Sequence, residues 1–232
     1  MLKKITLSLG LLLMVHALSA QNLQLHYDFG ENRKHVTSTL EMFKPDKWGS
    51  TFFFVDFDYD VDDIKGVSLS YMEIARALKF WDSPFALQVE YNGGFGQFND
   101  GDFARAYQIN DAWLAGVQYT WNNADYTRIF TLQTLYKNIR EKDQASFQIT
   151  GVWAMHFMNR KVSFTGFADF WKEENAYFGT DETTDYVFLA EPQLWYNFSD
   201  HFSAGSEIEL ATNFAGTKGF KVNPTLALKW NF

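Results

Sequence analysis

The sequence predicts an all-β protein: a 12-stranded antiparallel transmembrane β-barrel with short periplasmic turns and longer extracellular loops. Three observations predict it. Apolar and polar residues alternate with a period of two along most of the chain, the signature of strands with two unlike faces. The connections between these segments are short and long in turn, as in barrels threaded through a membrane. An export leader precedes them all.

The leader is residues 1–20, with Lys3 and Lys4 ahead of an apolar run from Ile5 to Val15 and small residues at Ser19 and Ala20. Its length and flanks suit a secretory signal peptide rather than a membrane anchor. Two units are therefore expected, a signal peptide at 1–20 and a barrel at 21–232. No later stretch reaches the roughly 18 apolar residues of a transmembrane helix. The chain has no cysteine, which excludes a disulfide framework, thiolate metal sites and a lipidated N-terminal Cys. Beyond the leader, 18 Lys and Arg (20 less Lys3 and Lys4) face 28 Asp and Glu, a net −10. Such a chain is a poor ligand for phosphate backbones, so no nucleic-acid partner is expected. Aromatics nevertheless make up 19% of the residues.

The strands account for them. Phe85, Leu87, Val89, Tyr91, Gly93 and Phe95 interleave with Gln88, Glu90 and Asn92. Trp113, Ala115, Val117, Tyr119 and Trp121 form the apolar face of the next strand. Phe147, Ile149, Gly151, Trp153, Met155 and Phe157 form another, and the series from Tyr186 to Phe198 continues the pattern through Pro192. Short turns are expected at 44–48, 82–84, 122–125, 158–161 and 199–202. Longer polar connections are expected at 30–33, 59–65, 97–110, 138–144, 177–185 and 215–219. Eleven connections join twelve strands, and 212 residues leave under 18 for each strand with its connection. Strands of about 9–11 residues span a bilayer at a tilt.

The last strand ends on Phe232, with Trp230, Leu228 and Leu226 apolar and Lys229, Ala227 and Thr225 between them. It resembles the signal by which outer-membrane barrels are recognised for assembly. That implies the barrel-assembly machinery as a partner through Phe232.

Parity assigns side chains to the interior. Expected lumen residues are Asp28, Glu41, Phe52, Phe54, Asp56, Asp58, Glu73, Glu90, Asn92, Asp169, Trp171, Glu191, Trp195, Glu207 and Glu209. Gln24, His26, Thr37, Thr39, Gln88, Gln118, Gln148, His156, Gln193, Asn213, Lys221, Asn223 and Lys229 join them. Ten carboxylates against Lys221 and Lys229 make an acidic passage, one that repels anions and admits neutral or cationic solutes. Twelve strands lie between the roughly eight that leave room only for side chains and the 16–18 of open channels. Around 68–81, Glu73 and Arg76 have opposite parity, which leaves a bulge open. Arg128 falls on the lipid side and is expected to snorkel at the periplasmic edge.

DFG at 28–30, DKWGSTFFFVDFDYD at 46–60 and EYNGG at 90–94 resemble a functionally unassigned family of Gram-negative outer-membrane proteins. That family is similar to the nucleoside-specific channel-forming barrels of the Tsx type. The resemblance implies a monomeric outer-membrane channel for passive diffusion of small polar solutes, nucleosides first, with membrane lipid around it and no cofactor. The alternative is a plugged or filled barrel with a structural or loop-mediated binding role. An outer-membrane lipid hydrolase is the remaining class. It would need Ser and His together on the lipid face, whereas His26 and His156 point inward and no GxSxG elbow occurs.

Asp56, Asp58, Asp60, Asp62 and Asp63 form an acidic ladder whose oxygens could hold Ca²⁺. Without an EF-hand loop, a solvated acidic rim is the plainer reading and no metal is assigned. NGGFG at 92–96 lacks the Lys-Ser/Thr and helix of a phosphate loop. Deleting Phe232 should lower the yield of assembled barrel in membrane fractions, and an unchanged yield would remove its role as an assembly signal.

Overall fold

In hydrocarbon every backbone N–H and C=O has to find a partner within the protein, so a sheet there has to close on itself. The computed structural model describes residues 21–31, 33–61, 64–142 and 144–232, and shows that closure. The expected leader, and Asp62 and Asp63 of the acidic ladder, lie outside the described residues.

The strands are β1 (Gln21–Asp28), β2 (Val36–Asp46), β3 (Gly49–Tyr59), β4 (Val67–Leu78), β5 (Phe85–Asp100), β6 (Phe103–Asn122) and β7 (Arg128–Ile139). After them come β8 (Ser146–Phe157), β9 (Val162–Ala176), β10 (Thr183–Ala190), β11 (Gln193–Asn197), β12 (Phe202–Thr212) and β13 (Phe220–Asn231). Consecutive strands pair antiparallel, except that β10 and β11 both lie between β9 and β12, and β1 pairs with β13 from Asn22↔Asn231 to Asp28↔Thr225. The Phe232 N–H donates to the Gln21 carbonyl at 3.1 Å and continues the seam. Among the described residues there is no helix. The result is a closed 12-strand antiparallel barrel, because β10 and β11 are two halves of one stave.

That stave is broken at Glu191–Pro192, where the expected strand was continuous. Pro192 has no N–H to give the ladder. Across the break the register is kept on both sides, Ala190↔Ala168 then Gln193↔Thr165 with β9, and Ala190↔Leu210 then Gln193↔Glu207 with β12. The Glu191 N–H still donates to the Phe167 carbonyl, and the Ile208 N–H to the Pro192 carbonyl, both at 3.0 Å. Gly166, at φ 147°, makes room: a Cβ there would sit 2.3 Å from the Glu191 carbonyl oxygen.

One other expectation changes. The long loop expected at 97–110 is instead a hairpin, with β5 and β6 paired out to Asp100↔Phe103 around Gly101 at φ 62°. A 20-residue strand at about 3.4 Å per residue outruns the roughly 25 Å apolar band of such barrels, so this hairpin projects past the outer rim. The bulge left open around 68–81 lies at Ser68: Asp58 pairs with Leu69 and Tyr59 with Val67, so Ser68 is the extra residue of β4, and the register runs regularly from Leu69 to Leu78. Arg76 faces outward at the strand's periplasmic end and bonds Asp46 bidentately at 2.7 and 3.0 Å. Arg128 is the exposed first residue of β7, in register with Met155, at the periplasmic edge as parity requires.

The apolar faces point out of the barrel. Leu25, Phe85, Leu87, Trp113, Leu132, Tyr136, Leu194, Leu226 and Leu228 are exposed, as lipid-facing positions have to be. Rings pair near both rims: Phe85 with Tyr119 at 5.1 Å and Trp121 with Phe130 at 5.9 Å on the periplasmic side. Tyr27 with Phe29 at 4.9 Å and Phe170 with Tyr186 at 5.5 Å lie toward the other.

Gly166→Ala should destabilise the barrel by about 1–3 kcal/mol, through backbone strain and the clash at the broken stave. Gly151→Ala is the control, since a Cβ there meets nothing within 4 Å. Gel mobility of unboiled samples across a temperature series reads both, and equal transitions would remove the significance given to Gly166.

Candidate functional site

The registers that close the barrel also fix what fills it. Gln24, His26 and Asp28 are buried on β1, and their partners carry the inward face around the sheet: Thr39, Thr37, Asp56, Asp58, Phe54, Phe52 and Glu73. Asn92, Glu90 and Gln88 continue it on β5. On the far wall Gln148, Thr150, Asp169 and Trp171 share that face. So do Gln193, Trp195, Glu207 and Lys229. All fifteen expected lumen residues thus point into the barrel, with Glu41, Glu191 and Glu209 completing the set.

They fall into three groups. At the extracellular mouth, Arg33 reaches from the 29–35 connection and pairs with Asp28 at 2.9 Å and Glu209 at 3.0 Å. Asn223 donates to the other Glu209 oxygen at 2.7 Å, and the Gly30 N–H to Asp28 at 2.6 Å. Alongside, Thr37 donates to Asp58 at 2.6 Å, and Thr39 to Asp56 at 2.5 Å.

A second group joins β4 to β9. Tyr71 donates to Glu73 at 2.8 Å, Gln88 to Glu90 at 2.8 Å and to Gln133 at 3.1 Å. Lys137 donates to Gln148 at 2.8 Å, and its ammonium lies 4.5 Å from the centre of the Trp171 ring. Thr150 donates to Asp169 at 2.5 Å. The Asn92 Oδ1 atom, buried here, meets no donor among the described residues.

The third group joins β1, β11, β12 and β13. Gln193 donates to Glu207 at 2.6 Å and accepts from the Trp195 indole at 2.9 Å. The Lys229 ammonium sits 3.9 Å from the centre of that same ring. His26 meets Trp195 edge-on at 6.0 Å, Thr225 at 3.1 Å, Gln24 at 3.0 Å and Glu207 at 3.9 Å. Glu191 feels the carboxylates of Glu207, Glu209, Asp56 and Asp169.

The interior is therefore less one-sided than ten carboxylates against Lys221 and Lys229. Lys137 and Arg33 also enter it. Parity would have found Lys137, which lies opposite Leu114 on the inward face of β7; no periodicity marks Arg33, a loop residue. Apolar side chains fill part of the interior as well. Leu114 and Leu135 are 1% exposed and Trp195 0%. They narrow the interior.

Among the described residues no three His, Asp or Glu side chains converge as a metal site would need. One Ser–His contact exists inside the periplasmic end, His156 Nδ1 to Ser163 Oγ at 2.9 Å. Asn197 donates to that serine oxygen at 2.9 Å instead of orienting the imidazole, so the trio lacks the order in which a base is held and a nucleophile freed.

The family described as "Domain of unknown function (DUF5020)" matches residues 20–232. Among solved structures the KdgM porin is similar, with a TM-score of 0.53 at 11% identity over 91% of this chain and 98% of that one. The Acinetobacter baumannii outer membrane protein Omp33 gives 0.46 at 14% identity over 92% and 100%. No curated protein matches the chain.

Arg33→Met should leave Asp28 and Glu209 unneutralised. Breaking a fully buried pair costs roughly 3–5 kcal/mol; with the guanidinium one-third exposed, the loss should be nearer about 1–2 kcal/mol. Urea unfolding in micelles measures it, and an unchanged midpoint would show that the mouth pair adds nothing.

Proposed function

We propose that this chain, which belongs to the DUF5020 family, is a narrow monomeric outer-membrane channel for passive diffusion of small neutral or cationic polar solutes, nucleosides first among them. The observation that carries the reading is the composition of the interior. Carboxylates recur from Asp28 and Glu209 at the mouth, through Asp56, Glu73, Glu90 and Asp169, to Glu41 on the periplasmic side. A barrel that only needed filling would minimise buried charge, which is costly to desolvate. Charged side chains lining a pore are one way in which selectivity for cations is built. The fold shared with the KdgM porin is compatible with that role.

Nucleosides suit the same wall. Phe52, Phe54 and Tyr71 form a run of rings, 6.0 and 6.1 Å between successive centres, beside Glu73. A base stacked on such a run gains about 1–3 kcal/mol, enough for occupancy without trapping. The Tsx-type resemblance supports nucleosides over other ring-bearing solutes. The lipid surroundings and the assembly machinery at Phe232 belong to the same proposal.

A second reading has its own observation. Trp195, Leu114 and Leu135 are shut off from solvent inside the barrel, which favours a filled barrel with a structural or loop-mediated role.

Planar-bilayer recording separates the two. The channel should conduct, prefer K⁺ over Cl⁻ in a salt gradient, and lose part of that preference in Glu191→Gln, Glu207→Gln. Adenosine or uridine should block the current, less so in Phe52→Ala. Correctly assembled protein without current would favour the filled barrel; anion preference would overturn the acidic path, and indifference to every nucleoside would overturn that cargo alone.

A further inference from the structure

The two buried lysine–tryptophan contacts share one construction. In each, a lysine ammonium lies over an indole ring: Lys137 over Trp171 at 4.5 Å, Lys229 over Trp195 at 3.9 Å. In each, the indole N–H is taken by an acceptor two residues away on the same strand, Glu173 at 2.8 Å and Gln193 at 2.9 Å. The ring is thus pinned with its face toward the lumen. Carboxylates act on each ammonium, Glu73, Glu173, Asp169 and Glu90 on Lys137, and Glu41 and Glu207 on Lys229. An aromatic face in acidic surroundings is chemistry that recognises ammonium ions.

A further observation points to a guest at the first site. Asn92 pairs directly with Glu73 across the β4–β5 ladder and is 4% exposed. Its Oδ1 is a buried acceptor without a donor among the described residues. Leaving such an atom unpaired is unfavourable, and it lies beside Glu73, one of the carboxylates that act on Lys137, so a solute bringing an N–H to that carboxylate would also meet an acceptor in need of a donor. Lys137 spends its own reach on Gln148.

We propose that the lumen contains two ammonium-binding cages, at Trp171 and Trp195, each occupied by the chain's own lysine, and that solutes bearing a primary ammonium group pass by exchanging with Lys137 and Lys229. This rests on the channel reading and narrows its cationic solutes to one class. The tethered lysines neutralise the cages while no solute is present. They also set a threshold, since a guest has to displace an ammonium already in place.

The test reads binding rather than current. Wild type and Lys137→Met, Lys229→Met are refolded in detergent and titrated calorimetrically with methylammonium chloride, with sodium chloride as the control. The double variant should bind methylammonium saturably and about tenfold more tightly than wild type, because no tethered competitor remains. Adding Trp171→Leu and Trp195→Leu should abolish the gain. Equal binding by variant and wild type, or equal response to sodium, overturns the proposal. Where the double variant does not assemble, refolding in methylammonium chloride should restore its heat-modifiable band, and failure of that rescue overturns it equally. Because neither readout needs an open pore, a barrel that binds but does not conduct would discard the channel and keep the cages.

Discussion

Closure of the sheet is the constraint on which everything else depends. A strand edge in hydrocarbon leaves donors and acceptors unpaired at several kcal/mol each, so β1 has to meet β13, and it does so over seven consecutive residue pairs. Once the ring is shut, strict alternation sends every second side chain inward. The lumen is thus a consequence of closure: its carboxylates and rings are where they are because the seam fixes the register of all neighbours. A slip of β3, β4 and β5 together by one residue would turn Asp56, Glu73 and Glu90 to lipid and Phe53, Ile74 and Val89 to the interior.

Inside, two opposing demands meet. Twelve staves enclose more space than side chains of ordinary size fill, yet wide water would leave the charges fully solvated. The protein narrows the bore with Leu114, Leu135 and Trp195 and joins the polar groups to one another through Gln88, Gln148 and Gln193. Amides serve well in that role because each offers both donors and acceptors to neighbours that are mostly acceptors. Arg33 does at the mouth what Lys137 and Lys229 do deeper in, placing positive charge where carboxylates crowd.

Most of the barrel was legible in the sequence because a membrane strand advertises itself twice, by apolar alternation and by aromatic ends. Leu226, Leu228 and Trp230 against Lys229 needed no structure to sort. The 97–110 segment was misread for a physical reason. Beyond the rim both faces of a hairpin meet water, so Gln97, Asn99 and Gln108 carry no alternation to detect, and only Gly101 marks the turn. The broken stave was invisible because Pro192 sits on an apolar parity position and disturbs neither face of the pattern. Lys137 was missed for the opposite reason. Its strand was judged only at Arg128, and a lone lysine between Leu135 and Ile139 interrupts an apolar face, although carrying the alternation on from Arg128 turns it inward, where it pairs with Leu114. Which inward residues touch was never legible, since cross-strand contact depends on register and stagger together.

The gap at Glu191–Pro192 is one of the places where the wall's ladder loses a bond, since Pro192 has no N–H to give. Backbone amides next to such a gap exchange with solvent through smaller openings than those of a fully bonded sheet. Glu191 therefore sits on the lumen side of a position where the wall has one backbone bond fewer to hold it in place. A charged group set beside a break in the ladder couples the width of the bore to its charge through one residue.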